Sequence, residues 1–213
     1  MGDVAGVILA AGYSSRAGDF KMTHEIMGKP VIEYVIENMF NVCNRITVVS
    51  GFHAEKLVYL SKKYSKLQVV YNEHFNNGMF SSVLVGLRQT NGKKLFIIPG
   101  DYPAVSLDTF GIMINHCDVN ILLPRYEGKP GHPVLISNNA KRQLLIGSFK
   151  TLYDYIMEYG FESVDINDAG ILMDIDYPND YYEIERQLVH EKDDYYDNRC
   201  SQQRKNDSIA KIV

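Results

Sequence analysis

Two cations, Arg16 and Lys21, follow a run of apolar and then small residues that reads Val4-Ala-Gly-Val-Ile-Leu-Ala-Ala-Gly12. A buried strand that hands over to such a turn can lay its backbone N–H groups, and the cations behind it, around a chain of phosphates. The spacing fits neither common phosphate-loop signature: G-x-x-x-x-G-K-[ST] does not occur, and Gly12 and Gly18 do not make G-x-G-x-x-G. The residues alone therefore leave a second reading open, a strand followed by a turn with solvated charges.

Asp101 comes directly after the apolar run Leu95–Pro99, between Gly100 and Tyr102-Pro103. An acidic group at the end of a buried strand can hold Mg²⁺ on phosphate oxygens; the alternative is an ordinary turn aspartate. Asp174 and Asp176 alternate along an expected strand, which points them to one side of a sheet. They could form half of a metal site, or Asp176 could cap the last helix. His132 sits in Gly128-Lys-Pro-Gly-His-Pro133, where the glycines and prolines fit a shaped loop as well as a proton-transfer role. The histidines and cysteines have no ligand-like spacing, which argues against zinc.

Positioning these groups falls to alternating strands and helices. Apolar, β-branched runs predict strands at Val4–Ala11, Arg45–Ser50, Leu67–Tyr71, Leu95–Pro99, Val119–Leu123 and Val134–Ser137, with a last pair at Glu162–Ile166 and Gly170–Ile175. Helical spacing predicts helices from Pro30 through Met39, over Ala54–Tyr64, from Ser81 to near Asn91, and over Leu107–Asn115, Ala140–Leu145, Thr151–Glu158 and Tyr181–Val189. That order predicts βαβ units and a three-layer αβα fold around a largely parallel sheet. Ligands bind beyond the carboxyl ends of the strands in such sheets, so the loops Gly12–Lys21 and Gly100–Pro103 should open on the same edge.

With 213 residues and 46% hydrophobic composition, the chain can close one core, expected over residues 1–190, followed by a polar tail at 191–213. A net charge of −4 and a pI near 5.9 argue against a nucleic-acid partner. Three scattered cysteines suit a reducing compartment, so the cytoplasm is expected. Val4–Ala11 is too short for a membrane span, and Asp3 ahead of it is not the basic flank of a signal peptide.

Six blocks in order carry a family resemblance: Leu9-Ala-Ala-Gly-Tyr-Ser-Ser-Arg-Ala-Gly18 with Lys21, Gly28-Lys-Pro30, Asn72 with Asn77-Gly-Met-Phe-Ser-Ser82, Pro99-Gly-Asp-Tyr-Pro103, Gly131-His-Pro-Val-Leu135 and Asp174-Ile-Asp-Tyr-Pro-Asn-Asp180. With them the chain resembles the nucleotidyltransferases that include molybdenum cofactor cytidylyltransferase and the related guanylyltransferase. The resemblance implies a Rossmann-like fold and transfer of a nucleoside monophosphate from an NTP to a terminal phosphate, with release of pyrophosphate. Leu-Ala-Ala-Gly and Gly-His-Pro-Val-Leu lie closer to the cytidylyl branch, which implies CTP as donor and the phosphate of molybdopterin, the molybdenum cofactor, as acceptor.

Carried over by position, Leu9, Ala10, Ala11, Gly12, Ser14, Ser15, Asn72, Ser82 and Gly100 would bind the nucleotide. Arg16 and Lys21 would offset charge on the pyrophosphate, Asp101 would hold Mg²⁺ with Asp176, and Gly78, His132 and Pro133 would face the acceptor. The first departure is Met-Thr-His-Glu-Ile-Met after Lys21, where relatives carry a leucine-rich stretch; the second is the segment from Glu191, which has no counterpart. Two alternatives remain. One is an enzyme using another NTP or a sugar or alcohol phosphate; such relatives place their lysine in a Pro-Lys pair, whereas here Lys29 precedes Pro30. The other is a non-catalytic protein delivering cofactor to a molybdenum hydroxylase, a reading opposed by the retention of Arg16, Lys21 and Asp101.

Overall fold

The computed structural model describes residues 3–13, 20–116 and 119–189. Strand β1 (Val4–Ala10) is buried along its whole length because both faces of the sheet are covered. Val4, Ile8 and Ala10 enter one hydrophobic cluster while Val7 and Leu9 enter another, as the two-residue period of a strand requires. A short hairpin follows, β2 (Glu25–Ile26) and β3 (Lys29–Pro30), and then α1 (Val31–Phe40), which Pro30 precedes. The chain continues through β4 (Arg45–Ser50), α2 (Leu60–Lys63), β5 (Leu67–Tyr71), α3 (Met79–Gln89), β6 (Lys94–Pro99) and α4 (Leu107–Asn115). After α4 come β7 (Ile121–Tyr126), β8 (Lys129–Pro130), β9 (Val134–Ser137), α5 (Asn138–Ile146), α6 (Leu152–Tyr159) and β10 (Glu162–Asp165), and then α7 over residues 180–189.

The main sheet has eight strands in the order β10-β7-β9-β6-β1-β4-β5, with β8 paired to β7. β1 lies parallel between β4 and β6, β4 pairs parallel with β5, and β7 with β10. β9 runs antiparallel to both β6 and β7, so the sheet is mixed but largely parallel. Met39 of α1 and Phe110 and Met113 of α4 pack in the first cluster; Val83 and Leu87 of α3, Leu144 of α5 and Tyr155 of α6 pack in the second. The αβα layering expected from the alternation is the fold observed, and no helix among the described residues is long and apolar enough to cross a membrane.

Three segments depart from expectation. The helix expected over Ala54–Tyr64 divides into a 3₁₀ turn, Ala54–Leu57, and the four-residue α2. His53 ahead of it has φ 55, and Leu57, Leu60 and Tyr64 all reach the core at a spacing that a 3₁₀ turn accommodates as readily as an α-helix. The shaped loop expected at Gly128–Pro133 instead includes part of the β7–β8 hairpin, which turns at Glu127 and Gly128 with φ 47 and 79, the backbone of a two-residue hairpin turn. Gly170–Ile175, expected as a strand, begins with a 3₁₀ turn at Ala169–Leu172, because the Asp168 carboxylate accepts the Gly170 amide at 2.8 Å. The expected tail at 191–213 lies outside the described residues.

Candidate active site

Because β1 and β6 are adjacent and parallel, their carboxyl ends deliver two segments to one edge of the sheet. Gly100 donates its amide to the Leu9 carbonyl at 2.9 Å, which locks Leu9-Ala-Ala-Gly12 beside Gly100-Asp101. The amino end of α3 closes the third side. Gly78, with φ 89 and ψ 172, turns the chain into that helix through a conformation open essentially to glycine alone. Between them lies a cavity of about 460 Å³ lined by Leu9, Ala11, Gly12, Lys21, Gly78, Ser82, Asp101 and Asp176. Tyr13, Phe75 and Asn76 form its outer wall: the Tyr13 ring packs 5.4 Å from Phe75, and its hydroxyl donates to Asn76 Oδ1.

Charge gathers at the floor of this cavity, where Lys21, Asp101 and Asp176 line it and Asp174 stands next to them. Asp101, Asp174 and Asp176 each offer a carboxylate oxygen within 4.8 Å of the others. Lys21 Nζ is paired with Asp101, lies 3.2 Å from Asp176 Oδ1 and donates to the Ile175 carbonyl at 2.7 Å. Burial works to lower the Lys21 pKa, but Asp101 and then Asp176 outweigh it, so the ammonium stays charged above its ordinary range. Asp174 is raised by burial and by its two carboxylate neighbours. Tyr102 is raised for the same reasons, burial first. Asp101 Oδ1 is buried and has no hydrogen-bond partner among the described residues, a costly state for a carboxylate oxygen and a favourable one for a divalent ion's ligand. Three carboxylates with a spare buried oxygen are the hard oxygen donors that Mg²⁺ selects, so the donor set fits that metal.

A second cavity of about 660 Å³ adjoins the first and shares Leu9, Gly78 and Met79 with it. Its walls are mostly apolar and aromatic, with Phe80, Tyr102, Val134, Tyr153 and Ile171 among them, while Lys150 and His132 add polar groups. His132 packs edge-on against Tyr102 at 4.8 Å, and burial holds its imidazole pKa down to about 4. It is neutral near pH 7.

The sequence-derived site residues thus divide by place. Leu9, Ala11, Gly12, Lys21, Gly78, Ser82, Asp101 and Asp176 converge on the first cavity; Leu9, Gly78 and His132 line the second. Ala10 faces the core, and Gly100 lies behind the cavity wall, where an added Cβ would meet Met22 Sδ at 2.8 Å. Asn72 is fully buried beneath the loop it begins, donating to Ser81 Oγ at 2.9 Å and Ser82 Oγ at 3.0 Å. It therefore shapes the wall that Ser82 presents. Pro133 follows a cis peptide bond and does not line either cavity. Ser14, Ser15 and Arg16 lie outside the described residues. Asp174 joins Asp176 beside Asp101, and the Asp180 carboxylate accepts the amides of residues 176 and 177 at 2.7 and 2.6 Å. Tyr13, Phe75 and Asn76 were not singled out from sequence; their proximity comes from β1 and α3 meeting on one edge, which no local pattern encodes.

This architecture, an αβα sandwich whose strand ends bring a small-residue turn, a lysine and clustered carboxylates together, defines the α/β nucleotidyltransferase fold. A solved structure described as a nucleotidyl transferase from Methanothermobacter thermautotroptrophicus superposes with a TM-score of 0.77 at 21% identity, covering 88% of this chain and 98% of that one. The chain belongs to the family described as the MobA-like NTP transferase domain, which matches residues 6–151. Among curated relatives, the molybdenum cofactor cytidylyltransferase of Escherichia coli (strain K12) is 29% identical over 82% of this chain and 92% of its own. A probable molybdenum cofactor guanylyltransferase of Natranaerobius thermophilus is 30% identical over 74% of this chain and 79% of its own.

Proposed function

We propose that this nucleotidyltransferase moves CMP from CTP to the phosphate of molybdopterin carrying molybdenum and releases pyrophosphate. The observation that carries the reading is the convergence of Lys21, Asp101 and Asp176 on a cavity bounded by the Gly12 turn and the amino end of α3, with the Asp174 carboxylate beside them. The likeness to the cytidylyltransferase, and Leu9-Ala-Ala-Gly12 and Gly131-His-Pro133, support CTP. The comparable likeness to a guanylyltransferase supports GTP as the second reading.

An oxygen of the acceptor phosphate attacks the α-phosphorus of CTP, and the bond from that phosphorus to the β-phosphate oxygen breaks as pyrophosphate leaves. The nucleophile is already anionic, so no general base is assigned, and neutral His132 fits a role in shaping the acceptor cavity. Catalysis of this kind rests on positioning and charge stabilisation. Lys21 neutralises charge on the phosphates, Gly12 lets them approach the backbone, and the α3 amides add positive potential. Asp101, Asp174 and Asp176 would hold Mg²⁺, which when bound supplies charge neutralisation to the phosphate oxygens.

The test incubates the protein with each NTP in turn, Mg²⁺ and molybdenum cofactor, measuring pyrophosphate and the mass of the product. A CMP adduct from CTP is expected, and Asp101→Ala should slow its formation by about 10²-fold or more. Turnover with GTP alone would replace the first reading by the second, and no pyrophosphate from any NTP would overturn both.

A further inference from the structure

We infer that Asp168, on neither cavity wall, is a positioning residue that sets the register between the two segments bearing the acidic cluster; this rests on reading Asp101, Asp174 and Asp176 as metal ligands. Asp101 belongs to the β6–α4 connection, and Asp174 and Asp176 to the stretch after β10, more than 70 residues later. Nothing within either segment fixes the distance between their carboxylates.

Lys21 bridges Asp101 and Asp176 from a third segment, and Asp168 supplies a link between the two segments themselves. Asp168 is 6% exposed and enters no salt bridge among the described residues. Instead Oδ2 accepts from the Ser106 amide at 2.9 Å and the Thr109 hydroxyl at 2.5 Å, both at the start of α4. Oδ1 accepts from the Gly170 amide at 2.8 Å and starts the 3₁₀ turn that leads to Asp174. The amino end of α4 compensates the buried charge. At Gly170 the turn is pressed so closely onto the other segment that an added Cβ would lie 1.8 Å from the Ala104 carbonyl oxygen. At the far end, the Ile175 amide donates to the Asp101 carbonyl at 3.1 Å. Asp174 and Asp176 flank Ile175, which is completely buried, so the two carboxylates are held on the side facing Asp101. Residues 168–176 are therefore tied to residues 101–109 at both ends, by one carboxylate and one backbone bond.

Asparagine at 168 would turn one N–H₂ group toward donors that now meet an oxygen, leaving the shape intact and the link broken. Binding of Mn²⁺ alone, followed by electron paramagnetic resonance well below each variant's Tm, reads the consequence. Asp168→Asn should weaken Mn²⁺ binding by about 10-fold, the lower end of what losing the groups that orient metal ligands costs. Thr109→Val, which removes one of the three donors from a site where valine fits, should shift it in the same direction. Thr90→Val is the comparison: it loses buried hydrogen bonds to Thr47 and Gly86 at the opposite end of the strands, and should lower Tm without changing Mn²⁺ affinity. If Asp101→Asn loses Mn²⁺ while Asp168→Asn and Thr109→Val bind it as the unmodified protein does, the positioning role is overturned and the metal reading stands. If Asp101→Asn binds Mn²⁺ undiminished, the metal reading falls, and the positioning role with it. Should Asp168→Asn not fold, Thr109→Val decides.

Discussion

Lys21 and Asp101 form an ion pair on the cavity floor although they leave different strand ends, β1 and β6, and each side chain is only 12% exposed. The same ammonium spans to Asp176, so one cation ties together three separate stretches of chain. Removing it leaves the clustered carboxylates without that charge. Lys21→Met is expected to lower kcat by on the order of 10²-fold or more. Lys21→Arg should not restore it, because a planar guanidinium cannot place its donors where a compact ammonium reaches Asp101, Asp176 and the Ile175 carbonyl together. Steady-state kinetics on both variants checks this, and near-normal turnover by Lys21→Met would remove the lysine from the machinery.

Gly78 governs both cavities, since it lines each and sets the entry into α3. No atom crowds a Cβ there, so the cost of Gly78→Ala comes from its backbone conformation alone. A residue forced into that region loses about 1–3 kcal/mol. In a chain of this length each kcal/mol lowers Tm by about 2–4 °C. Relief of the strain would swing the α3 amino end, so the KM for nucleotide should rise as Tm falls. Calorimetry and kinetics on the same preparation check both, and a Tm within 1 °C of the unmodified protein's would count against the strain.

These two positions show what the sequence makes legible. The β1 run, the small-residue turn and Asp101 after an apolar strand are local signals, and the structure places them on one edge because parallel strands share a carboxyl end. What could not be read depends on partners distant in sequence. Asp168 lies two residues before a glycine, like many turn aspartates, and only its approach to Ser106 and Thr109 distinguishes it. Gly170–Ile175 has the residue types of a strand, but contact with Ala104 and the Asp168 cap coil its first half. β9 has the apolar pattern of any central strand, and its antiparallel direction follows from the chain reversal between β7 and β9, which residue types alone do not dictate.

His132 should not contribute to the pH dependence of the reaction near neutrality. Its imidazole pKa lies near 4 because burial disfavours the charged form, so it is neutral throughout the range in which an ordinary histidine titrates. Between about pH 5.5 and 8 the pH–rate profiles of the protein and of His132→Gln should therefore have the same shape. The variant should raise the KM for acceptor, since His132 and Tyr102 form part of the second cavity's wall. An acid limb present in the unmodified protein and absent from the variant would instead assign His132 a proton-transfer role.

Glu33 of α1 makes the stability of the fold depend on pH far from the cavities. It is 2% exposed and accepts from the Tyr59 hydroxyl at 2.9 Å, the Tyr64 hydroxyl at 3.0 Å and the Lys63 ammonium. Burial alone would raise its pKa; the hydrogen bonds from Lys63, Tyr59 and Tyr64 outweigh burial and bring it below the ordinary value of 4.5. A carboxyl whose folded pKa is depressed adds stability above its unfolded pKa and loses it as pH falls through the folded one. Tyr59 and Tyr64 are raised, by burial first and then by Glu33, so they contribute stability below their unfolded pKa of about 10 and lose it above. Glu33→Gln should lower Tm at pH 7 and flatten the decline in Tm below about pH 4.5, because the variant has no carboxyl there to protonate. Thermal melts from about pH 3 to 10 on both proteins check this. Parallel acid limbs in the two proteins would show that Glu33 is not the group responsible.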